Sequence, residues 1–307
     1  MRGTIVAALL MVSPLSFASS ASAGAMTYLS LGDSLAFGET DFQHNPSAGD
    51  RGFVKAYDQF LAGQNGGIAP RIVNLAIDGD TSSSFLSGSG RVPPASGISD
   101  ANLASYNSRY AANPNVSQNL KMVQAIINQW SQGNTIGHVT ISLGSNDLFA
   151  LAGQPGFLTS SPAVQQAGLA QALSTFSTNY GNLLGEVKGL LPNASVTLLG
   201  TYNPFAATPN SPYAAFGAPA IQALNATIQG LAKQNGANYA DTYTPFVGHE
   251  SQYTYITTIP GNVHPNAAGY AAIASAVEAV PEPSTLAALG FGIAALAVRA
   301  RRRRARA

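Results

Sequence analysis

Four short blocks, far apart in a chain of 307 residues, carry residue types that could together attack an acyl bond. They are Gly32-Asp33-Ser34-Leu35, Asp78-Gly79-Asp80-Thr81-Ser82, Gly144-Ser145-Asn146-Asp147 and Val263-His264-Pro265-Asn266. A serine hydroxyl is a poor nucleophile until a base accepts its proton, and histidine titrates near neutrality, which suits it to that task. Ser34 and His264 are therefore the candidate nucleophile and general base. Each block also has a plain structural reading. Gly-Asp-Ser is good turn chemistry after any strand, Gly79 fits an ordinary turn, Asn146 fits a helix cap, and His264 before Pro265 fits a surface loop. His44, His138 and His249 read as ordinary histidines, and Asp33 and Asp147 as braces of their turns. Placement on a common edge is what would separate the two readings.

The order of elements supplies such an edge. Apolar runs at 26–31, 71–77, 138–144, 195–202 and 237–243 read as strands. Helical patterns fall between them, at 52–63, 116–130, within 163–191 and at 219–236, with a last helix from about Asn266 to Glu278. In the second of these the apolar stripe is Leu120, Val123, Ile127 and Trp130. Residues 86–115, rich in Gly, Ser, Pro and Asn, read as a long loop or small insertion. Strands alternating with helices predict a three-layer α/β fold with a mainly parallel, five-stranded sheet. In such sheets functional loops gather at the carboxyl ends of the strands, and all four blocks fall at that rim.

The four blocks, in this order and on these elements, resemble the GDSL or SGNH hydrolase family over residues 26–280. The resemblance implies a flavodoxin-like fold and a serine esterase that needs no metal or cofactor, acting on an ester of a lipid or an acetylated sugar. It assigns the oxyanion donors to the backbone N–H of Ser34, the backbone N–H of Gly79 and the side-chain amide of Asn146. The chemistry agrees: glycine lets the backbone approach closely, and a neutral amide donates where a carboxylate cannot. One position departs from the family. The acid that normally stands three residues before the histidine is Gly261 here. A backbone carbonyl near Gly261 is the first candidate to hold the imidazole N–H, the side-chain oxygen of Asn262 the second, and a carboxylate from elsewhere, Asp241 or Glu250, the third. A neutral orienter stabilises the imidazolium less than a carboxylate, so a catalytically weak or inactive surface or matrix protein on the same fold is the alternative. The stretch 202–216, YNPFAATPNSPYAAF, is expected to shape the substrate pocket together with the loop at 86–115.

Composition and the two ends bound the setting. Cysteine is absent, which excludes disulfides and thiolate chemistry. Residues 1–23, with Arg2, an apolar run and Ala21-Ser22-Ala23, read as a secretory signal peptide. Residues 24–279 form the hydrolase domain. From Val280 onward come Pro281-Glu282-Pro283, the apolar run Leu286–Val298 and six arginines. Thirteen helical residues span about 20 Å, short of a bilayer core of about 30 Å, so membrane association through the tail is transient. The tail resembles a PEP-CTERM sorting signal, which implies processing by an exosortase and delivery to the cell surface or extracellular matrix of a Gram-negative bacterium. Between Gly24 and Val280 thirteen acidic residues face eight basic ones, a net charge of −5. The basic tract is thus a topology signal, and nucleic acid is not expected as a partner.

Overall fold

Residue alternation and helical periodicity resolve into the expected sheet. The computed structural model describes residues 24–40, 52–92 and 117–280. The signal peptide, the tail beyond Val280, most of the 86–115 loop and His44 lie outside the described residues.

Five strands make one parallel sheet: β1 (Met26–Gly32), β2 (Arg71–Asn74), β3 (Thr135–Ser142), β4 (Ser195–Leu199) and β5 (Asn238–Ala240), in the order β2-β1-β3-β4-β5. The order reverses between β1 and β3, and crevices for ligands open at the carboxyl ends of strands at such a switch. The second strand is shorter than expected, although Leu75 and Ile77 still donate to the carbonyls of Ser30 and Gly32. The fourth and fifth also stop early, at Leu199 and Ala240, although Gly200 N–H still donates to the Ala240 carbonyl at 3.0 Å.

The helices are α1 (Ser34–Phe37), α2 (Gly52–Gln64), α3 (Ser82–Ser87), α4 (Gln118–Ser131), α5 (Ser145–Ala152), α6 (Pro162–Leu190), α7 (Pro212–Gln234), α8 (Glu250–Tyr253) and α9 (Ala267–Glu278). On one face of the sheet, Leu29, Leu31 and Ile141 pack with α4, α6 and α7 through Met122, Phe176 and Leu224. On the other, Tyr28 and Ile77 pack with α2 and α9 through Phe53, Tyr57 and Ile273. This is the three-layer arrangement. Among the described residues no helix is long and apolar enough to cross a membrane.

Two local expectations need correction, and one short helix was not expected. Helix α4 does not bury Leu120, Ile127 and Trp130, which are 49%, 54% and 46% exposed. It buries Gln118, Met122, Ile126 and Gln129. Two hydrogen-bonding glutamines decide this rotation: Gln118 meets both backbone groups of Gly32, and Gln129 accepts from the Thr27 hydroxyl at 3.0 Å. Helix α7 begins at Pro212, seven residues before the expected start, with Ser211 as its cap and Pro219 inside it. An internal proline costs about 3 kcal/mol in an isolated helix; here Pro219 lies on the exposed side while Phe216, Gly217, Ala220 and Ile221 on either side of it in sequence are buried. Helix α3 was hidden by its serines. Thr81 and Ser84 form a reciprocal capping box that starts it.

Candidate active site

Strand β1 ends where Gly32 takes φ +137°, and a side chain there would run into the carbonyl of Ser142. The chain then crosses to its neighbour: Asp33 N–H donates to the Ser142 carbonyl at 2.9 Å. The Asp33 carboxylate caps α1 by accepting from Leu35 N–H at 3.1 Å, and it takes the Ser142 hydroxyl at 3.3 Å. Ser34 thus becomes the first residue of a short helix at the end of the sheet, buried to 8% exposure yet lining a cavity. Burial raises the Asp33 carboxyl to about 8. Through these bonds Asp33 braces the turn.

The second block turns through Gly79 at φ +73°, where a Cβ would strike the carbonyl of Val92. Asp80 next to it anchors the loop. Its carboxylate meets Arg91 Nε at 2.6 Å and accepts from Ser84 at 2.7 Å and Gln118 at 2.8 Å. Burial outweighs the guanidinium and lifts this carboxyl to about 6.

Asn146 is not the cap of α5. That position is Gly144, and the Asn146 amide instead donates to the Asp80 carbonyl at 3.0 Å, which ties the third block to the second. A second amide proton remains for another acceptor. Asp147 adds to the tie by accepting from Ser82 N–H at 2.9 Å and from its hydroxyl at 2.6 Å.

His264 is set by its own loop. The Asn262 side-chain oxygen accepts from the His264 backbone N–H at 2.9 Å and stands 2.9 Å from Nδ1. The Asn262 amide donates to the Thr40 carbonyl at 2.9 Å. With that oxygen as acceptor, the ring proton sits on Nδ1 and Nε2 keeps the lone pair a base requires. Tyr202 donates to the Val263 carbonyl at 2.7 Å and holds the loop from behind.

Of the three orienters the sequence left open, the second, Asn262, is the one whose side-chain oxygen stands beside Nδ1. Asp241 lies in its own turn, accepting from Tyr243 N–H, Thr244 N–H and the Thr244 hydroxyl at 2.9, 3.1 and 2.6 Å. Gly261 supplies the left-handed turn at φ +80° that leads into Asn262. His138 packs edge-on against Tyr57 and His249 stacks on Tyr253, neither of them in the cavity.

Sequence reasoning missed Glu39 and Asp78. Both line the cavity, and both are carboxyls whose pKa burial pushes up. They hydrogen-bond each other, and Glu39 Oε2 lies 3.6 Å from His264 Nε2. The three residues bring side-chain atoms within 4.8 Å of one another and form one polar cluster at the cavity wall. A signal was available: in a chain only 9% charged, Glu39 follows Ser34 by five positions and Asp78 adjoins Gly79. Burial alone pushes His264 down to about 4.

Ser34, Gly79, Asn146 and His264 line one cavity of about 680 Å³. Much of its remaining wall is apolar: Leu148 and Phe149 from α5, Phe205 and Tyr213 from the 202–216 stretch, and Phe216 and Ile221 from α7. Phe205 and Tyr213 stack at 4.9 Å with planes 16° apart.

A parallel α/β sheet with a serine, a glycine, an asparagine and a histidine around one rim cavity defines a class of ester hydrolases. Residues 28–277 match the model of the GDSL-like lipase/acylhydrolase family, and the chain belongs to that family. It is a carboxylic ester hydrolase. Residues 279–303 match the PEP-CTERM protein-sorting motif, which marks a chain for export to the cell envelope. Two of the solved structures that the chain resembles illustrate the likeness. A lipase from a goat rumen metagenome shares 20% identity at TM-score 0.55, with 83% of this chain and 96% of that one covered. An acetylxylan esterase from Geobacillus stearothermophilus shares 16% at TM-score 0.50, with 83% and 94% covered. At these identities the likeness is one of fold. No curated protein matches the sequence.

Proposed function

We propose that the chain hydrolyses esters of apolar, medium-length acyl groups through an acyl-enzyme on Ser34. His264 Nε2 takes the Ser34 proton as the oxygen attacks the ester carbonyl. The oxyanion is met by the N–H groups of Ser34 and Gly79 and by the Asn146 amide, and donors fixed in advance are the largest single source of rate in such sites. His264 then hands its proton to the leaving alcohol, and water repeats the cycle. Asn262 keeps the ring in the tautomer this needs. An exosortase-type enzyme is the partner that would process the tail and release the domain at the surface or into the matrix.

The observation that carries the reading is the cavity, which joins the four polar residues to a wall of Leu148, Phe149, Phe205, Tyr213 and Phe216. An acetyl group would leave that wall unused. Each buried methylene contributes about 0.8 kcal/mol, or about fourfold in rate when the contact is kept in the transition state. Hydrolysis of p-nitrophenyl acetate, butyrate and octanoate by residues 24–280 and by Ser34→Ala tests this. The expected result is a kcat/KM that rises with chain length, by about tenfold or more from butyrate to octanoate, and falls by at least about 10³-fold in Ser34→Ala. A preference for acetate would transfer the reading to O-acetylated sugars. Equal rates in both proteins would end the Ser34 mechanism.

A further inference from the structure

A carboxylate behind the catalytic histidine has two duties: it fixes the ring's tautomer and orientation, and its charge stabilises the imidazolium. In this chain Gly261 stands where that acid is expected, and Asn262 fulfils only the first duty because its amide oxygen carries no full charge. We infer that the second duty has moved to Glu39 and Asp78, a carboxyl pair that shares one proton and places its net negative charge against the Nε2 side of His264. The inference rests on the serine-esterase reading above.

The geometry is specific. Glu39 is 3% exposed, and its Oε2 has no hydrogen-bond partner among the described residues while lying 3.6 Å from His264 Nε2. Its other contact is Asp78, and two carboxyls so placed cannot both ionise, so they hold a single proton and one negative charge between them. Both are clamped. Tyr270 donates to the Glu39 carbonyl at 2.6 Å, and Asn262 reaches the adjacent Thr40, so the residue that orients the ring also holds the acid's loop. Asp78 is fixed by the Gly79 turn. No other nearby group can substitute among the described residues. Arg91 faces Asp80, Asp33 caps α1, and Tyr202 and Tyr270 face the same acids as phenols that burial keeps neutral.

During acylation the proton moves from Ser34 Oγ to His264 Nε2, while the pair keeps its own proton between Glu39 and Asp78. The imidazolium therefore forms beside a negative charge in a poorly solvated site, where Coulombic attraction is strong. When the alcohol departs with the proton from Nε2, the pair is unchanged. Glu39 and Asp78 are thus positioning residues that act through His264. Their charge opposes the burial that weakens this histidine as a base.

The test titrates His264 by NMR of imidazole-labelled protein, which has only four histidines, alongside the pH profile of kcat/KM. The variants are Asp78→Asn, Glu39→Gln and the double substitution, each checked for an unchanged melting profile. In Asp78→Asn the whole charge falls on Glu39, nearest the ring, so the histidine pKa and the acid limb rise. In the double variant the charge is gone, both fall by about one pH unit, and kcat/KM at neutral pH drops about 10- to 100-fold, less than the loss of a triad acid. Glu39→Gln lies between. A packing role alone would not give shifts of opposite sign. An unmoved His264 in the double variant, or a fall in Asp78→Asn, overturns the inference. If the wild type shows no turnover, the esterase reading fails, and the NMR titration still decides the electrostatic coupling.

Discussion

Asn262 shows how much one side chain can settle. Its oxygen takes a backbone N–H and a ring nitrogen of His264, and its amide reaches across to Thr40. Replacing it by alanine removes the oxygen beside Nδ1 but leaves Ser34, His264, Gly79 and Asn146 in place. Neutral hydrogen bonds contribute about 0.5–1.5 kcal/mol each, so Asn262→Ala should lower kcat about tenfold with KM nearly unchanged, as steady-state kinetics would show. Asn262→Asp restores an acceptor and adds a charge, and it should recover most of the loss. A KM effect with intact kcat would instead place Asn262 in substrate binding. Gly79 is the opposite case, a residue that works by lacking a side chain.

Elements are turned by their polar contacts as much as by their apolar faces. Helix α4 has a clear apolar stripe in its sequence, yet the sheet takes the face with Gln118 and Gln129. Both glutamines are buried, and an unsatisfied buried amide costs about 1–3 kcal/mol. Their hydrogen bonds to Gly32 and Thr27 therefore set the rotation, and Gln118 also carries the end of β1 to Asp80. Two substitutions on this helix should separate the faces. Met122→Ala, at a fully buried position, should destabilise the fold by about 2–5 kcal/mol, whereas Ile127→Gln should stay within about 0.5 kcal/mol. Urea denaturation measures both. Similar costs at the two positions would mean that the exposed stripe is covered by something else.

At the scale of the whole molecule, the low charge content leaves stability tied to a few buried acids at the rim. Asp33 is raised from 3.8 to about 8 in the fold. A raised carboxyl binds its proton more tightly folded than unfolded, so its contribution is complete below the unfolded value and is lost as pH rises through the folded one. His264, lowered to about 4, works in the other sense, but only between about 4 and 6.5, where the unfolded ring takes a proton the folded one refuses. Between pH 7.5 and 8.5 the histidine is neutral in both states and the acids dominate. The melting temperature should therefore fall across that window, and Asp33→Asn, which keeps a capping oxygen for Leu35 N–H, should flatten the slope. A slope unchanged in Asp33→Asn would show that Asp33 is not the source.

What the sequence determined by itself was local or repeated. The order of strands and helices is written in periodicity. The positions of Ser34, Gly79 and Asn146 follow because each comes soon after the carboxyl end of a strand, where the topology of a parallel sheet leaves little choice, whereas His264 arrives from the loop before the last helix. The tertiary structure decided what depends on contacts between distant segments. Asn262 rather than Asp241 became the partner of His264, since only the loop geometry brings a side-chain oxygen to Nδ1 while Asp241 is held in its own turn. Glu39 and Asp78, thirty-nine positions apart in number, became one proton-sharing pair beside a histidine from the far end of the chain. No spacing rule encodes that meeting, because burial and proximity, which set the charge state of both acids, exist only once the chain has folded.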